Sequence, residues 1–551
     1  MSDEHGHGPS GFQGPKCWVA TALVGFVLGT ILAFVLPKPA AIPLATLAGM
    51  KGKTVEEMQA DYEKKLEAYE KALKEHGREA GQHVAPPVNP NLISPPDIRP
   101  WHAIPFALLL LSIALMPFIN LHFWEHHFPD FAFFLGGIMV AYYIFALSGY
   151  TTSQGQPEYG IHKMVHVGLE YFQFIALVGS LYVVTGGILI DIKGHGKPAL
   201  NTLILAIGAA IANVIGTTGA AALLIRAYIR INKHRIQAFH VVIFIFIVAN
   251  CGGCLTPIGD PPLFLGYLQG VPFSWTLIHC LPAWAFAVTL LLAVFYVMDV
   301  KSLKAYEQGL PEEERGAEAA KNAVSVSGYL NLVFLALVLL GVFLDGILHH
   351  LGVHIHFPFG AILQIVSATL AYKLSKPENL KANEFTFGPI KEVGFLFIGL
   401  FATMVPALDY LGNNAASLGI ETPGAFYWAA GALSSFLDNA PTYLNFLSAG
   451  HGLAGMEMGK ALDTPAWIQL TNVHTTGYSA QQILLAISLA SVFFGANTYI
   501  GNAPNFMVKA ISESSGVPMP SFFGYILRFA VPILMPILII VWIVFTSGWV
   551  L

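Results

Sequence analysis

Long apolar runs alternate with short polar breaks along almost the whole chain. The first, CWVATALVGFVLGTILAFVLP (17–37), has about the 20 residues that one bilayer crossing needs. Further apolar segments occupy roughly 102–120, 131–150, 163–191, 198–232, 238–268 and 275–298. After the charged stretch KSLKAYEQGLPEEERGAEAAK, a second series covers about 326–349, 357–375, 390–412, 424–449, 480–510 and 522–549. The pattern predicts an all-α polytopic membrane protein. It divides into an N-terminal tail with a first transmembrane helix (1–36), an extracytoplasmic segment (37–101), a first repeat (102–298), a cytoplasmic linker (299–325) and a second repeat (326–549). A cleaved signal sequence is the other reading of the first run, since small residues follow at Ala40 and Ala41.

The substantial polar insertion, 37–101, has a pattern of its own. KTVEEMQADYEKKLEAYEKALKEHGREA sets Val55, Met58, Tyr62, Leu66, Tyr69 and Leu73 at steps of three and four, an amphipathic helix. It packs on a partner or on the membrane domain, or serves as a solvated linker. PPVNPNLISPP then reads as a stiff extended connector.

Composition narrows the class. The chain is 55% hydrophobic and 11% charged, against about 25% charged for soluble domains, and its mean hydropathy is +0.61. A net charge of −5 with dispersed basic residues argues against nucleic acid as a partner. Cys17, Cys251, Cys254 and Cys280 lie in apolar runs, which is no secreted disulfide framework, and the single CxxC has no second pair to make a zinc site. HExxH, GxSxG, P-loop and dinucleotide fingerprints are missing from the sequence, so neither an enzyme nor an organic cofactor is expected.

The two series repeat each other. The offset that sets Glu170 opposite Glu392 also sets ANVIGTTGAAALL (212–224) on SSFLDNAPTYLNF (434–446) without a gap. Further on, GCLTPIGDPPLF (253–264) pairs with GANTYIGNAPNF (495–506), bringing Thr256 to Thr498, Gly259 to Gly501, Asp260 to Asn502 and Pro262 to Pro504. Loop charge orients them. RAYIRINKHR (226–235) follows the first hairpin segment, whereas 450–478, after the second, carries only Lys460. Lys193, Lys197, Lys301, Lys304, Lys373, Lys376 and Lys381 fall on the cytoplasmic side of the same alternation, so the halves are expected to be inserted in opposite directions.

Segment lengths locate the irregular parts. PALNTLILAIGAAIANVIGTTGAAALLIRAYIRIN (198–232) is too long for one crossing and too short for two, which suggests a hairpin that dips in and returns, with GTTG at its tip. Segment 424–449 is its counterpart, with Asp438, Asn439 and Pro441 at the tip. In 238–268 and 480–510 the prolines and glycines interrupt the helix. Irregular backbone survives in a membrane only where protein or a wet cavity satisfies it, and paired broken segments in two halves point to a transporter's midplane site. Asp260 and Asp438 are the leading candidates, because a carboxylate there costs roughly 2.5–3.5 kcal/mol and neutralises by taking a proton or a cation; the bland alternative is a helix cap. Around them gather Asn213, Thr217, Thr218, Thr256, Gly259, Ser435, Asn439, Thr442, Asn497, Thr498, Asn502 and Asn505. Na⁺ is expected at Asp438, Asn439, Asn213, Thr256 and Thr498. Glu170 is a proton-relay candidate, or a paired interfacial acid. FWEHHF (123–128) has the composition of a metal cluster, but falls in a predicted loop without i, i+4 partners and reads as an interfacial turn.

The hairpin followed by ANCGGCLTPIGDPP resembles the ion transporter superfamily, which includes arsenite permeases, D-type sodium/proton antiporters, citrate–metal transporters and dicarboxylate/sodium symporters. Over 102–549 it is most similar to the citrate-transporter or sodium:proton antiporter branch. The resemblance implies a homodimer in a bacterial inner membrane, moving Na⁺ and H⁺ or a small carboxylate by an elevator-like or rocking motion. The dicarboxylate members' Ser-Asn-Thr signature is replaced by Gly216-Thr217-Thr218 and by Asp438-Asn439-Ala440-Pro441-Thr442, and no arginine stands at either tip. An anionic tip without a guanidinium clamp favours Na⁺/H⁺ antiport over Na⁺- or H⁺-coupled uptake of citrate or another oxyanion.

Overall fold

The computed structural model describes residues 16–40, parts of 54–67, and 96–546 apart from 151–158, 194–195, 310–322, 351–356, 415–418, 455–462 and 474–476. Among the described residues, ten helices are long and apolar enough to cross a membrane. The protein is an all-α polytopic membrane protein with one small ribbon. Contacts divide it into two units: 1–48, 53–168 and 392–407 form one, and 49–52, 169–391 and 408–551 the other.

In the first unit α1 (Lys16–Val35) lies along α3 (Leu121–Ala146), preceded by α2 (Ile104–Ile119). Gly25 and Gly29 let the backbones touch: a Cβ on either would collide with the Phe134 or Ile138 carbonyl. In lipid such small-residue seams replace the hydrophobic drive that water supplies elsewhere. FWEHHF is helix here and not the predicted loop. The Asn120 side chain accepts from the Phe123 N–H at 3.0 Å and starts α3 upstream of the expected boundary, so His122 and His126 do stand at i, i+4. Of the 37–101 insertion, Thr54 and Glu57 form a capping box at 2.7 and 3.1 Å, and Tyr62 and Leu66 are half-buried in helix. Val55, Met58, Tyr69, Leu73 and the Pro-rich connector up to Pro95 lie outside the described residues.

The second unit carries the irregular segments. α4 (Tyr159–Gly186), which both units share, ends at Gly186-Gly187, and the predicted apolar segment to 191 finishes as a strand instead. There β1 (Leu189–Lys193) pairs antiparallel with β2 (Ala323–Ser327), Asp191 opposite Ser325. The alternating, Ile-rich LIDIK after two glycines has the composition of a strand.

α5 (Pro198–Ile231) is a hairpin. Gly216, at φ 78° and ψ 155°, is its non-helical residue, in a region open to glycine and strained for other residues. The ends of the segment meet. The Gly196 N–H donates to the Ile231 carbonyl at 2.8 Å, and the Asn201 and Asn232 amides exchange bonds at 2.8 and 2.9 Å; a straight helix of 34 residues would hold them roughly 50 Å apart. α6 (Ala238–Ile247) and α7 (Pro261–Leu268) flank an interruption holding one short 3-10 turn, and α8 (Phe273–Gly309) follows.

After β2 come α9 (Tyr329–His350), α10 (Phe359–Leu374), α11 (Pro377–Ala382) and α12 (Gly388–Asn414). α13 (Pro423–Phe436) and α14 (Asn439–Leu453) are the arms of a second hairpin, in contact through the Phe426 and Phe446 rings 6.2 Å apart. After the short α15 (Asp463–Ile468), α16 (Ala480–Phe494) and α17 (Ala503–Ser514) flank the second interruption, and α18 (Phe522–Thr546) closes the chain.

The base of hairpin α5 is sealed by buried charge. The Arg235 guanidinium donates to both Asp299 carboxylate oxygens and, through Nη2, to the Gly196 carbonyl at 2.6 Å. His240 Nδ1 accepts the Gln237 N–H at 3.1 Å, and its Nε2 lies 2.9 Å from Asp299 Oδ1. The arginine and aspartate charges balance each other. Removing one partner of a buried pair strands the other at a cost of roughly 3–5 kcal/mol. Asp299→Ala should lower the unfolding temperature in detergent far more than Asp191→Ala in the half-buried ribbon; equal shifts would show that the cluster does not hold the hairpin base.

Candidate ion and substrate site

Both interruptions expose carbonyls, and each described polar partner has an evident task. In the first, Asn213 Nδ2 and Trp284 Nε1 donate to the Gly252 carbonyl at 2.7 and 3.0 Å. Thr276 Oγ1 donates to Leu255 O at 3.1 Å, and the Thr217 N–H reaches Gly259 O at 2.8 Å. In the second, Asn505 Nδ2 donates to Gly495 O and Thr498 O at 2.8 and 2.9 Å, and Tyr525 OH to Ala496 O at 2.8 Å. Backbone that has left the helix is paired again by side chains, as a low-dielectric setting demands.

Corresponding positions make the same bonds. Thr256 Oγ1 donates to the Asn213 carbonyl at 2.5 Å and accepts the Gly259 N–H at 3.2 Å; Thr498 Oγ1 donates to the Ser435 carbonyl at 2.6 Å and accepts the Gly501 N–H at 3.1 Å. The backbones of Gly253 and Gly259 press together, as do those of Gly495 and Gly501. One contact is exchanged in size: Gly252 rests on Ala209, and at the corresponding positions the Phe494 ring rests on Gly431.

At the centre is Asp260, 1% exposed. Its carboxylate accepts from Thr217 Oγ1 at 2.7 Å, Asn439 Nδ2 at 2.5 Å and Asn502 Nδ2 at 3.1 Å. Thr217 and Asn439 are corresponding residues of the two hairpin tips, and Asn502 is Asp260's own counterpart. Asp260 stands at the start of α7 without capping it. Asp438 does cap: its Oδ1 accepts the Ala440 N–H at 3.0 Å at the head of α14, and it is near enough to Asp260 for their charges to interact. Among the described residues no ion pair involves either acid.

The other expected residues fall into place around this pair. Asn213 Oδ1 accepts the Leu255 N–H at 2.8 Å. Asn497 Nδ2 donates to Ser435 Oγ at 3.0 Å, and Thr442 Oγ1 to the Asp438 carbonyl at 3.0 Å. The buried Oδ1 atoms of Asn439 and Asn497 have no hydrogen-bond partner, which leaves two oxygens available to a cation. Thr218 and Gly259 line a cavity of about 30 Å³ with Gly216, Thr217, Asp260 and Phe264, room for an ion or a water. Glu170 is 7% exposed and is bonded by the Gln269 amide beyond α7. Among the described residues no three His, Cys, Asp or Glu side chains converge as a metal cluster. Sequence reasoning passes over Asn250, whose amide joins Asn502 and Asn505; its signal is a lone amide ending the apolar run IFIFIVAN.

Ten apolar spans among the described residues, with a buried acid and re-paired, broken backbone in the second unit, define a multi-pass membrane transport protein. The model of the family described as "Putative citrate transport" matches residues 96–546, and the chain belongs to that family. The match supports reading the chain as a secondary transporter. A search of curated proteins finds no match.

The paired glycines generate a test. A methyl on Gly259 or Gly501 meets a backbone carbonyl, whereas one on Gly309 meets open space. Overpacking of this kind costs about 1–3 kcal/mol. Gly259→Ala and Gly501→Ala should each lower thermal stability in detergent and Gly309→Ala should not; indifference at all three positions would contradict the close approach.

Proposed function

We propose that the chain is a Na⁺/H⁺ antiporter in which the charge of Asp260 is neutralised alternately by a proton and by a bound cation, with Asp438 as the second acid. The observation that carries this reading is the single carboxylate held by corresponding residues of both hairpin tips. A carboxylate in the interior without a basic partner is costly as a bare charge. It is neutralised by a proton or by a nearby cation, and competition between the two is ion exchange. Na⁺ is a hard ion that takes oxygen ligands, and the unpartnered Oδ1 atoms of Asn439 and Asn497 support its entry. The ligand set proposed from sequence, Asp438, Asn439, Asn213, Thr256 and Thr498, lies in two groups. Asn213 of the first hairpin meets Thr256 of the first interruption, and Ser435 of the second hairpin meets Thr498 of the second. The matched bonds of the two interruptions support two copies of one unit, and the loop charges support their opposite insertion with both hairpins re-entrant.

A second reading follows from the family's description: a citrate-type carboxylate carried with Na⁺ or H⁺. With no arginine or lysine paired to the acids among the described residues, such an anion needs a cation between itself and Asp260.

Proteoliposomes with an acidic lumen and a trapped pH dye separate the two. Antiport predicts that external Na⁺ makes the lumen alkaline. No response to Na⁺ or Li⁺, with labelled citrate accumulating instead, would favour the second reading.

Two substitutions test the acids. Asp438→Asn keeps a competent cap while removing the charge, and Asp260→Asn removes the central charge at constant size. Each should abolish Na⁺-dependent proton flux with membrane insertion intact; full flux in Asp260→Asn would overturn the assignment.

A further inference from the structure

Asn250 lies at the end of α6, fully buried, where the first interruption begins. Its Nδ2 donates to Asn505 Oδ1 at 2.6 Å and to the Ile245 carbonyl at 2.9 Å, and its Oδ1 accepts from Asn502 Nδ2 at 3.3 Å. Asn502 Nδ2 also reaches Asp260 Oδ1 at 3.1 Å, and Asn505 Nδ2 holds the Gly495 and Thr498 carbonyls. Amide by amide, the carboxylate in the first half is joined to the carbonyls of the second interruption.

The direction of this chain is fixed. An amide offers N–H at one end and C=O at the other. Were Asn505 to flip, its oxygen would face the Gly495 and Thr498 oxygens, and its N–H would face that of Asn250. Each amide is oriented by the next. A proton on Asp260 Oδ1 would turn an acceptor into a donor and displace Asn502, whose other acceptors are Asn250 Oδ1 at 3.3 Å and the Ala249 carbonyl at 3.2 Å. The disturbance then reaches Asn505, and with it the carbonyl of Thr498, the residue after Asn497, whose Oδ1 is unpartnered.

We propose that Asn250 is a positioning residue that couples the charge state of Asp260 to cation occupancy at Ser435, Asn497 and Thr498. The inference rests on the reading that Asp260 takes the coupling proton, and it adds a second place for the cation and the link between them. The corresponding position of the second half, three residues before Gly495 as Asn250 is before Gly253, is Val492. The link is thus built into one half only.

Hydrogen–deuterium exchange of segment 495–505 in the purified full-length protein, titrated with Na⁺, reads the second interruption directly. Between the unaltered protein and Asp260→Asn, the Na⁺ concentration for half-protection should shift by about tenfold, within the ordinary range of coupling between sites. In the Asn250→Val background the same Asp260→Asn change should shift it by less than about threefold, as a double-mutant cycle requires of a broken link. Asn250→Ser, too short to reach Asn505, serves where the valine variant does not fold. An undiminished shift in these backgrounds overturns the coupling alone. Absence of any Na⁺-dependent protection in the unaltered protein overturns the functional reading and the coupling with it.

Discussion

A polar backbone group in hydrocarbon must find a partner inside the protein, at a cost of several kcal/mol if it does not. That constraint organises the second unit. Continuous helices meet it without help, which is why most of the chain is plain apolar helix. The two interruptions do not, and every unusual side chain near them answers the need: Asn213, Trp284 and Thr276 in one, Asn505 and Tyr525 in the other. Once those bonds are made, the segments are rigid enough to present oxygen atoms at fixed places. The same pairing that permits broken backbone in lipid thereby sets a buried acid among fixed oxygen atoms, the arrangement proposed to hold an ion.

The two halves solve this problem alike up to the point where they meet. Thr256 and Thr498 make the same two bonds, and the glycine pairs make the same close approach. At the meeting point the equivalence ends, with aspartate in one half and asparagine in the other, 3.1 Å apart. Two carboxylates at that distance would repel strongly, and two amides would leave no charge at that point. One of each leaves one carboxylate held by neutral donors, with Asp438 close by.

Much of this was legible in the sequence because the signals were local and physical. Proline and glycine in an apolar run mark interruption wherever they occur, and a 34-residue run with GTTG in the middle has few ways to fit a bilayer. What the sequence hid was geometry between distant elements. Asp260 precedes two prolines and looks like a cap, yet its oxygens bond three side chains from three other segments; Asp438 looked the better ion ligand, and one of its oxygens caps α14. Asn250 carried no pattern that set it apart from a helix-ending amide. FWEHHF was misplaced because Asn120 starts its helix earlier than hydropathy alone suggests, and LIDIK because its partner strand lies beyond a charged linker. The matching family supports the same class of protein that the broken segments implied.

Equilibrium binding of radioactive Na⁺ to the purified protein across a pH series tests the central claim most directly. If one interior carboxylate is shared between proton and cation, binding is saturable and weakens as protons are added. Saturable binding indifferent to pH, or no saturable binding at any pH, would contradict it.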